Sequence, residues 1–266
     1  MQIMQLQDIQ SEEASLLSSF DGFCTYHDIT YYLAYGSLLG AVRNQSPIPW
    51  DDDTDVLVPR TDYERLRTLI SKAPAGTSLL TPDTVSYPWP WMKLISTRTY
   101  FDEPVLRCNP SYYGVFIDIF PLDNILNKAD TKRYNKVHLT RRIYDYSYVV
   151  NHRLPQLSDA KEPLRRVIGA AGHIHSRDYY LQKMDSLATE RSSCKSEFVA
   201  NFYSPYSFDK ECIEAADCEG YSFVDYSGHR IRTFKDPVKY LERVYGPTWR
   251  TPIKREAENH GTAYWR

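Results

Sequence analysis

The sequence has few features of a secreted or zinc-binding protein. Its five cysteines are widely spaced and form no CxxC pair, which argues against a structural zinc site and favours free thiols in a reducing cytoplasm. The N-terminus lacks the basic, apolar and small-residue order of a secretory signal. No apolar run approaches the roughly 18 residues of a membrane-spanning helix. We therefore expect a soluble, cytoplasmic protein whose membrane contact would be peripheral, at the inner face.

A strong net charge is also missing. The formal net charge is −2 over 266 residues, so no overall field favours nucleic acid as a partner. The charge is unevenly spread, because no Lys or Arg precedes Arg43, whereas basic residues outnumber acidic ones between Lys132 and Lys183. Such a basic segment is typical of a solvated helical face, but it also suits an anionic substrate or a membrane surface.

What the sequence does contain is an ordinary globular composition, 42% hydrophobic and 25% charged, with 22 tyrosines to fill a core. Two predicted boundaries depend on particular residues: Thr61 with Glu64 as a capping box that begins a helix, and Pro121 as the end of a strand. Apolar periodicity and turn residues predict helices over residues 5–28, 38–42, 62–71 and 237–245, and strands over residues 31–34, 53–58, 91–96 and 115–120.

Residues 50–56 (WDDDTDV) are the most informative stretch. Four Asp in five positions repel one another unless a positive group lies among them. Because strand residues alternate faces, Asp53 and Asp55 would point one way, while Thr54 and Val56 would face the packed side. Two carboxylates on one face, near a strand end, are hard-oxygen ligands of the kind that Mg²⁺ and Mn²⁺ prefer. We therefore predict a divalent metal site here.

These aspartates have two alternatives to a metal site. A calcium loop of EF-hand type beginning at Asp51 is excluded, because its sixth position is Val56 rather than Gly and its twelfth is Asp62 rather than Glu. A solvated acidic turn remains open, but it does not explain the strand periodicity that follows.

Asp118 is a third candidate carboxylate. It interrupts an otherwise apolar strand, residues 115–120. A lone buried carboxylate would be costly or protonated. A bound cation, a partner Arg or a ring of backbone donors would each compensate it, and the residues alone leave these options open.

Gly36-Ser37 lies between a predicted strand and a predicted helix. A glycine lets the backbone approach a ligand closely, and a serine hydroxyl with helix N–H groups can hold phosphate. Taken alone, the pair is equally compatible with a plain turn. The order of the chain is more specific: Gly-Ser before a helix, Asp-x-Asp on the next strand, and a third Asp on a later strand. This order resembles the nucleotidyltransferase superfamily.

Three longer motifs narrow that resemblance. Residues 33–43 (LAYGSLLGAVR), 48–56 (IPWDDDTDV) and 116–123 (FIDIFPLD) resemble the LicD family, which includes bacterial phosphorylcholine transferases and the related fukutin proteins. Residues 240–241 (YL) and 245–246 (YG) match as well, whereas residues 126–235 match only loosely. Thr54 departs from the aliphatic residue common in the family. Residues 44–46 (NQS) replace a more basic, glycine-containing turn, a change that would affect the approach of substrate.

The resemblance implies an α+β fold. It predicts a nucleotidyltransferase-like core with a small mixed sheet flanked by helices, residues 1–125 with the N-terminal helix, and a mainly helical region, residues 126–266, packed on it as one continuous domain. It implies catalysis and Mg²⁺ or Mn²⁺ ligation by three carboxylates, the third of which, Asp118, could instead deprotonate the acceptor hydroxyl. It implies phosphate binding at the glycine-serine pair and at two cations, each of which could equally be a surface or ion-paired residue. These residues are Asp53, Asp55 and Asp118 for metal and catalysis, and Gly36, Ser37, Arg43 and Lys93 for substrate.

The reaction that the resemblance implies is attack of an acceptor hydroxyl on the distal phosphorus of a CDP-activated donor, with release of CMP. The expected donor is CDP-choline and the expected acceptor an anionic cell-surface glycan or a lipid-linked teichoic acid precursor. The quaternary ammonium of choline would favour an aromatic cage, for which the candidates are Trp89, Trp91, Tyr112 and Tyr113. The alternatives are a nucleotidyltransferase that uses an NTP and releases pyrophosphate, and a non-catalytic binding protein that keeps the fold.

Overall fold

The computed structural model describes residues 1–126, 128–152, 160–252 and 260–266. Its helices are α1 (Leu6–Tyr26), α2 (Tyr35–Asn44), α3 (Arg60–Arg67), α4 (Thr131–Tyr144), α5 (Glu162–Gly172), α6 (Arg177–Ala188), α7 (Phe208–Glu211) and α8 (Pro237–Tyr245), with a π-helical turn at Asp145–Val149. Its strands are β1 (Gln2–Ile3), β2 (Tyr32–Leu33), β3 (Asp55–Pro59), β4 (Thr77–Leu80), β5 (Met92–Ser96), β6 (Thr99–Asp102), β7 (Phe116–Ile125), β8 (Phe198–Ala200), β9 (Ile213–Glu214), β10 (Ser222–Tyr226), β11 (His229–Thr233) and β12 (Thr262–Trp265).

A mixed central sheet organises the molecule. Its main path runs β10-β11-β2-β3-β7-β5-β4, and β8 joins the far end of β7 and pairs with β9. The pairs β3–β7 and β11–β2 are parallel, and the other pairs are antiparallel. Helices flank this sheet, so the predicted α+β class is confirmed. A second, small sheet joins β1, β12 and β6, which brings the two ends of the described chain side by side.

The predicted helices form because their apolar side chains share one face. In α1 the residues Ile9, Leu16, Phe20 and Cys24 are buried against the sheet, as the spacing of three, four and seven predicts. In α8 the prediction is confirmed at both ends. The Asp236 carboxylate accepts a hydrogen bond from the backbone N–H of Lys239, and the helix ends at Gly246, whose φ is 81°.

Several predicted boundaries are wrong, three of them where an element begins. β3 begins at Asp55 rather than Asp53, and α2 begins at Tyr35 rather than Leu38. The helix α3 has Pro59 at its N-cap with no side-chain cap. Glu64, expected in a capping box with Thr61, instead forms an ion pair with Arg60 at 2.9 Å.

Pro121 does not end β7. The strand continues to Ile125, because its two halves have different partners. β5 pairs with β7 only as far as Ile119, and β8 takes over at Asp123. Pro121 lies between these two pairings, on the side of β7 that faces β5 and β8. No described strand pairs with it on that side, so its missing N–H removes no hydrogen bond of the sheet.

Strands from both sides of residue 126 share the central sheet. The expected helices α4 to α8 follow that residue, but β11 pairs with β2, and β8 pairs with the end of β7. The hairpin β10–β11 was missed by the prediction of a mainly helical region. No helix within the described residues is long and apolar enough to span a membrane. None of the five cysteines, all of which are described, forms a disulfide.

Candidate active site

Asp55 and Asp118 lie side by side on two central strands of the sheet, at the point where β3 begins. β3 and β7 run parallel, and Asp55 is the direct register partner of Asp118. On the other flank of β7, Lys93 of β5 is the register partner of the same Asp118. Residues in register on adjacent strands project from the same face, so the sheet itself brings two carboxylates and an ammonium group together.

Asp53 joins this face although it precedes β3. Exposure alternates along residues 51–56: Asp52, Thr54 and Val56 are buried, whereas Asp51, Asp53 and Asp55 are partly exposed. The Thr54 hydroxyl donates to Glu13 of α1 at 3.2 Å, on the packed side. The predicted alternation of faces is therefore confirmed, and it extends beyond the hydrogen-bonded strand.

Burial and mutual repulsion perturb these carboxyl groups. Loss of solvent raises the pKa of Asp55 well above its ordinary value, and the charges of Asp53 and Asp118 raise it further. Loss of solvent also raises the pKa of Asp53, although His260 opposes this. The pKa of Asp51 is raised to about 8 by burial and by Asp53. Burial and mutual repulsion therefore favour the neutral form of these three carboxyl groups over the charged form.

Asp118 is compensated by the protein itself. Lys93 forms an ion pair with its carboxylate at 2.8 Å, and the indole N–H of Trp91 donates to the same group. Both Lys93 and Asp118 are buried. Of the options left open for a buried carboxylate in an apolar strand, the structure shows a cationic partner, which is Lys93 rather than an arginine.

Gly36 and Ser37 lie in the first turn of α2, beside the carboxylates. The Ser37 hydroxyl accepts the backbone N–H of Asp55 at 2.8 Å, which ties the helix to β3. A Cβ atom at Gly36 would stand 2.8 Å from an oxygen of Asp51, so a larger residue here would have to displace the Asp51 carboxylate. The first N–H groups of a helix have no intrahelical acceptor, and those of α2 begin at this cluster.

Arg43 is not brought to the cluster. It lies in the last turn of α2, and its guanidinium donates to the carbonyl of Thr251 at 3.0 Å. Seven residues of helix separate it from Gly36, which is about 10 Å along the axis. The structure therefore assembles six of the seven predicted site residues and leaves Arg43 at the opposite end of α2.

Three of the four aromatic residues predicted as a choline cage lie against the protein's own cations, Trp89 and Tyr113 near Lys93 and Trp91 near Arg141. Trp89 stacks on Trp91, with ring centroids 5.1 Å apart, and Trp89 donates to the Tyr113 hydroxyl. Lys93 Nζ lies 5.8 Å from the Trp89 ring and 5.9 Å from the Tyr113 ring. Tyr112 instead hydrogen-bonds the carbonyl of Val85. These rings therefore pack around the Lys93 ammonium group and do not form an empty aromatic cage for choline.

Comparison with known protein families gives a match over the part of the chain that contains these residues. Residues 28–157 match the family model described as LicD/FKTN/FKRP, nucleotidyltransferase domain. Residues 28–157 are a LicD-family domain. The lipopolysaccharide cholinephosphotransferase LicD of Haemophilus influenzae is 29% identical over 131 residues, which cover 48% of this chain and 48% of that protein. The chain thus aligns with about half the length of this curated relative.

The LicD-family domain contains every predicted site residue, from Gly36 to Asp118. Among the described residues, no three His, Cys, Asp or Glu side chains already converge as metal ligands. The donor chemistry nevertheless fits a divalent cation at Asp53 and Asp55, because a cation would offset the burial and repulsion that raise their pKa values. Asp118 fits less directly, since Lys93 and Trp91 already bond its carboxylate.

Beyond the LicD-family domain, His260 completes the cluster and was missed by sequence reasoning. Its Nδ1 lies 2.6 Å from one oxygen of Asp52, its backbone N–H donates to the other at 2.9 Å, and its Nε2 lies 3.9 Å from Asp53. The hydrogen bond to Asp52 raises the pKa of His260 to about 9. The sequence contained one signal: the acidic run required positive groups, which the fold supplies as His260 and Lys93.

Proposed function

We propose that the chain is a metal-dependent phosphotransferase that moves a phospho-alcohol group, phosphorylcholine from CDP-choline, to a hydroxyl of a cell-surface glycan or teichoic acid precursor. The observation that carries this proposal is the register of Asp55 with Asp118 beside the start of α2, within a LicD-family domain. The name of the Haemophilus relative supports choline phosphate as the transferred group.

Asp53 and Asp55 are the residues that would hold Mg²⁺ or Mn²⁺, with Asp118 as third carboxylate. The bound ion would supply positive charge to the pyrophosphate of the donor, where negative charge builds as the leaving group departs. The helix start at Gly36 and Ser37 would orient a phosphate through backbone N–H groups. Lys93 balances the charge of Asp118 and holds its carboxylate in the site.

The proposed chemistry is an in-line displacement. An oxygen of the acceptor hydroxyl forms a bond to the distal phosphorus, the bond from that phosphorus to the bridging oxygen breaks, and CMP leaves with the electron pair. The hydroxyl proton passes to a carboxylate oxygen, for which Asp118 is the candidate, or to water. Asp118 thus has two proposed roles, ligand and base.

The test is product analysis with purified protein and Mg²⁺. CDP-choline, CDP-glycerol, CDP-ribitol and CTP are each incubated with the protein, and CMP and pyrophosphate are quantified. We expect CMP from CDP-choline, and loss of at least about 100-fold in Asp53→Ala or Asp55→Ala with the fold intact. Near-normal turnover in either variant would exclude this site.

The description of the matching domain as a nucleotidyltransferase favours a second candidate, nucleotidyl transfer from an NTP. Pyrophosphate release from CTP, with no CMP from any CDP-alcohol, would replace the first proposal by this one. If no nucleotide yields product or raises the melting temperature with Mg²⁺, the chain is a binding protein that keeps the fold.

Asp118→Asn separates the two roles of Asp118. Both roles predict a strong loss of transfer. A lost ligand raises the Mg²⁺ concentration needed for half-maximal activity, whereas a lost base leaves that concentration unchanged and lowers kcat alone. A fully active, stable variant would show that Asp118 serves only to pair with Lys93.

A further inference from the structure

A row of apolar side chains stands in solvent along one side of α5. Leu164, Val167 and Ile174 are 61%, 65% and 82% exposed, and Ala171 between them is also exposed. The spacings of three, four and three place these four residues on one face, which continues past the end of the helix at Ile174.

The opposite face of α5 makes the contacts that hold the helix in the fold. Gly169 and Gly172 approach the π-helical turn so closely that a Cβ at either position would overlap Tyr146 or Ser147. Glu162 is buried at the start of the helix and is paired with Arg166 at 3.0 Å. The exposed row is therefore not needed for packing in the described structure.

The neighbouring helix α4 exposes basic side chains. α4 packs next to α5, and its outer face exposes Lys132, Lys136 and Arg142 around Leu139, which is 59% exposed. No carboxylate on the described residues of α4 and α5 is exposed, since α4 contains none and Glu162 is buried. The α4–α5 face is defined by these eight residues: Lys132, Lys136, Leu139, Arg142, Leu164, Val167, Ala171 and Ile174.

A cleft adjoins α5. It has a volume of about 560 Å³ between α5 and the π-helical turn, and its lining includes Arg107, His152, Arg166 and His173. Glu162 pairs with Arg166 at 3.0 Å and with His152 at 3.1 Å, whereas Arg107 donates to the carbonyl of Ser147 at 3.0 Å. Arg107 is therefore the cation in this cleft that could meet an anionic headgroup.

We propose that the α4–α5 face docks on an anionic phospholipid surface. Exposed aliphatic side chains bordered by Lys and Arg are what an interfacial helix inserts into the headgroup region of a membrane. Lysine is depleted at the core of protein–protein interfaces, which makes a protein partner a poorer match to this composition. Under the proposed function, docking here would bring the enzyme to the membrane in which a lipid-linked acceptor resides.

The test is co-sedimentation of the full chain with vesicles, and it requires no transferase activity. Vesicles of phosphatidylcholine alone are compared with vesicles that also contain phosphatidylglycerol, at low and high salt. Two variants change the face: Leu164→Gln/Val167→Gln/Ile174→Gln, and Lys132→Gln/Lys136→Gln/Arg142→Gln. The matched control is Tyr26→Gln/Val85→Gln, which removes apolar side chains that are 85% and 82% exposed elsewhere.

We expect the wild type and the control to bind the anionic vesicles, weakly at high salt, and each face variant to bind about tenfold less. Melting temperatures check that all variants are folded. Equal binding by the wild type and both face variants, or equal binding to neutral vesicles, would overturn the proposal. Self-association of the wild type that the apolar variant abolishes, without vesicle binding, would show that a second copy occupies the face instead.

Discussion

Asp52 and Asp53 are adjacent in the chain, but their carboxylates point to different surroundings. Asp53 faces the cluster with Asp55, whereas Asp52 is buried and bonded at both oxygens by His260. Residues 51–54 lie outside regular structure, so their conformation depends on such side-chain contacts. Gln10 of α1 provides another, because its amide donates to the carbonyls of Ile48 and Asp51. Gln10 and His260, which lie before and after the LicD-family domain in the chain, therefore both position this segment of the candidate active site.

His260→Phe should reduce transfer by about 10- to 100-fold, the usual effect of removing a residue that orients a ligand. His260→Asn retains a side-chain N–H near the position of Nδ1 and should recover part of the activity. The measurement is kcat and KM for both variants, with hydrogen exchange of residues 49–55. Equal activity in the Phe variant and the wild type would show that His260 does not position this segment.

Glu211 gives a pH dependence of stability that is independent of the site carboxylates. It is buried, accepts a hydrogen bond from Tyr35 at 2.8 Å, and burial raises its pKa from 4.5 to about 7. Between these values the folded state holds a proton that the unfolded state releases, so this group makes stability fall as pH rises.

Glu211→Gln removes that titration. The free energy of unfolding of the wild type should therefore fall by about 2–3 kcal/mol more than that of the variant when the pH is raised from 5 to 8. Urea unfolding at both pH values measures the difference, with Glu219→Gln as an exposed control for the lost charge. Parallel changes in the wild type and the Glu211 variant would contradict the assignment.

At the scale of elements, β7 connects the site to the rest of the sheet. Its first half carries Asp118 between β3 and β5, and its second half carries Asp123, whose carboxylate is bonded by Arg60 through two nitrogens at 2.6 and 2.8 Å. The side chain of Asp123 is 1% exposed and that of Arg60 is 10% exposed. This buried pair fastens α3 to the strand.

Asp123→Asn should destabilise the fold by about 3 kcal/mol, because it leaves the buried guanidinium without its main partner. The matched control is Asp83→Asn in the exposed ion pair with Arg67, where a change below about 1 kcal/mol is expected. Denaturant unfolding measures both. Equal effects of the two substitutions would show that the ion pair between Arg60 and Asp123 does not stabilise the packing of α3 on β7.

Local periodicity explains which elements were predictable. The alternation along residues 51–56 and the caps of α8 are readable within a few residues. The hairpin β10–β11 also had a local signal, because Ser227 and Gly228 adopt positive φ between alternating strands, but it was not recognised. The pairing of His260 with Asp52 has no such signal, since 208 residues separate the two and only the joining of β12 with β6 brings them together.

At the scale of the whole molecule, the chain combines a LicD-family domain with a C-terminal part that both extends its sheet and closes its candidate site. The central claim is that Asp53 and Asp55 hold a divalent cation on which donor binding depends. Aspartates whose pKa values are raised by burial and repulsion should lose nothing in stability when neutralised, so binding and folding can be separated.

The most direct measurement is calorimetric titration of CDP-choline into the wild type and into Asp53→Asn/Asp55→Asn, each with Mg²⁺ and with a chelator. We predict binding by the wild type with Mg²⁺, weakened at least about tenfold by the chelator and to the same extent by the double variant. The melting temperature of the double variant should equal or exceed that of the wild type. An unchanged dissociation constant in the double variant, or in the chelator, would contradict the account.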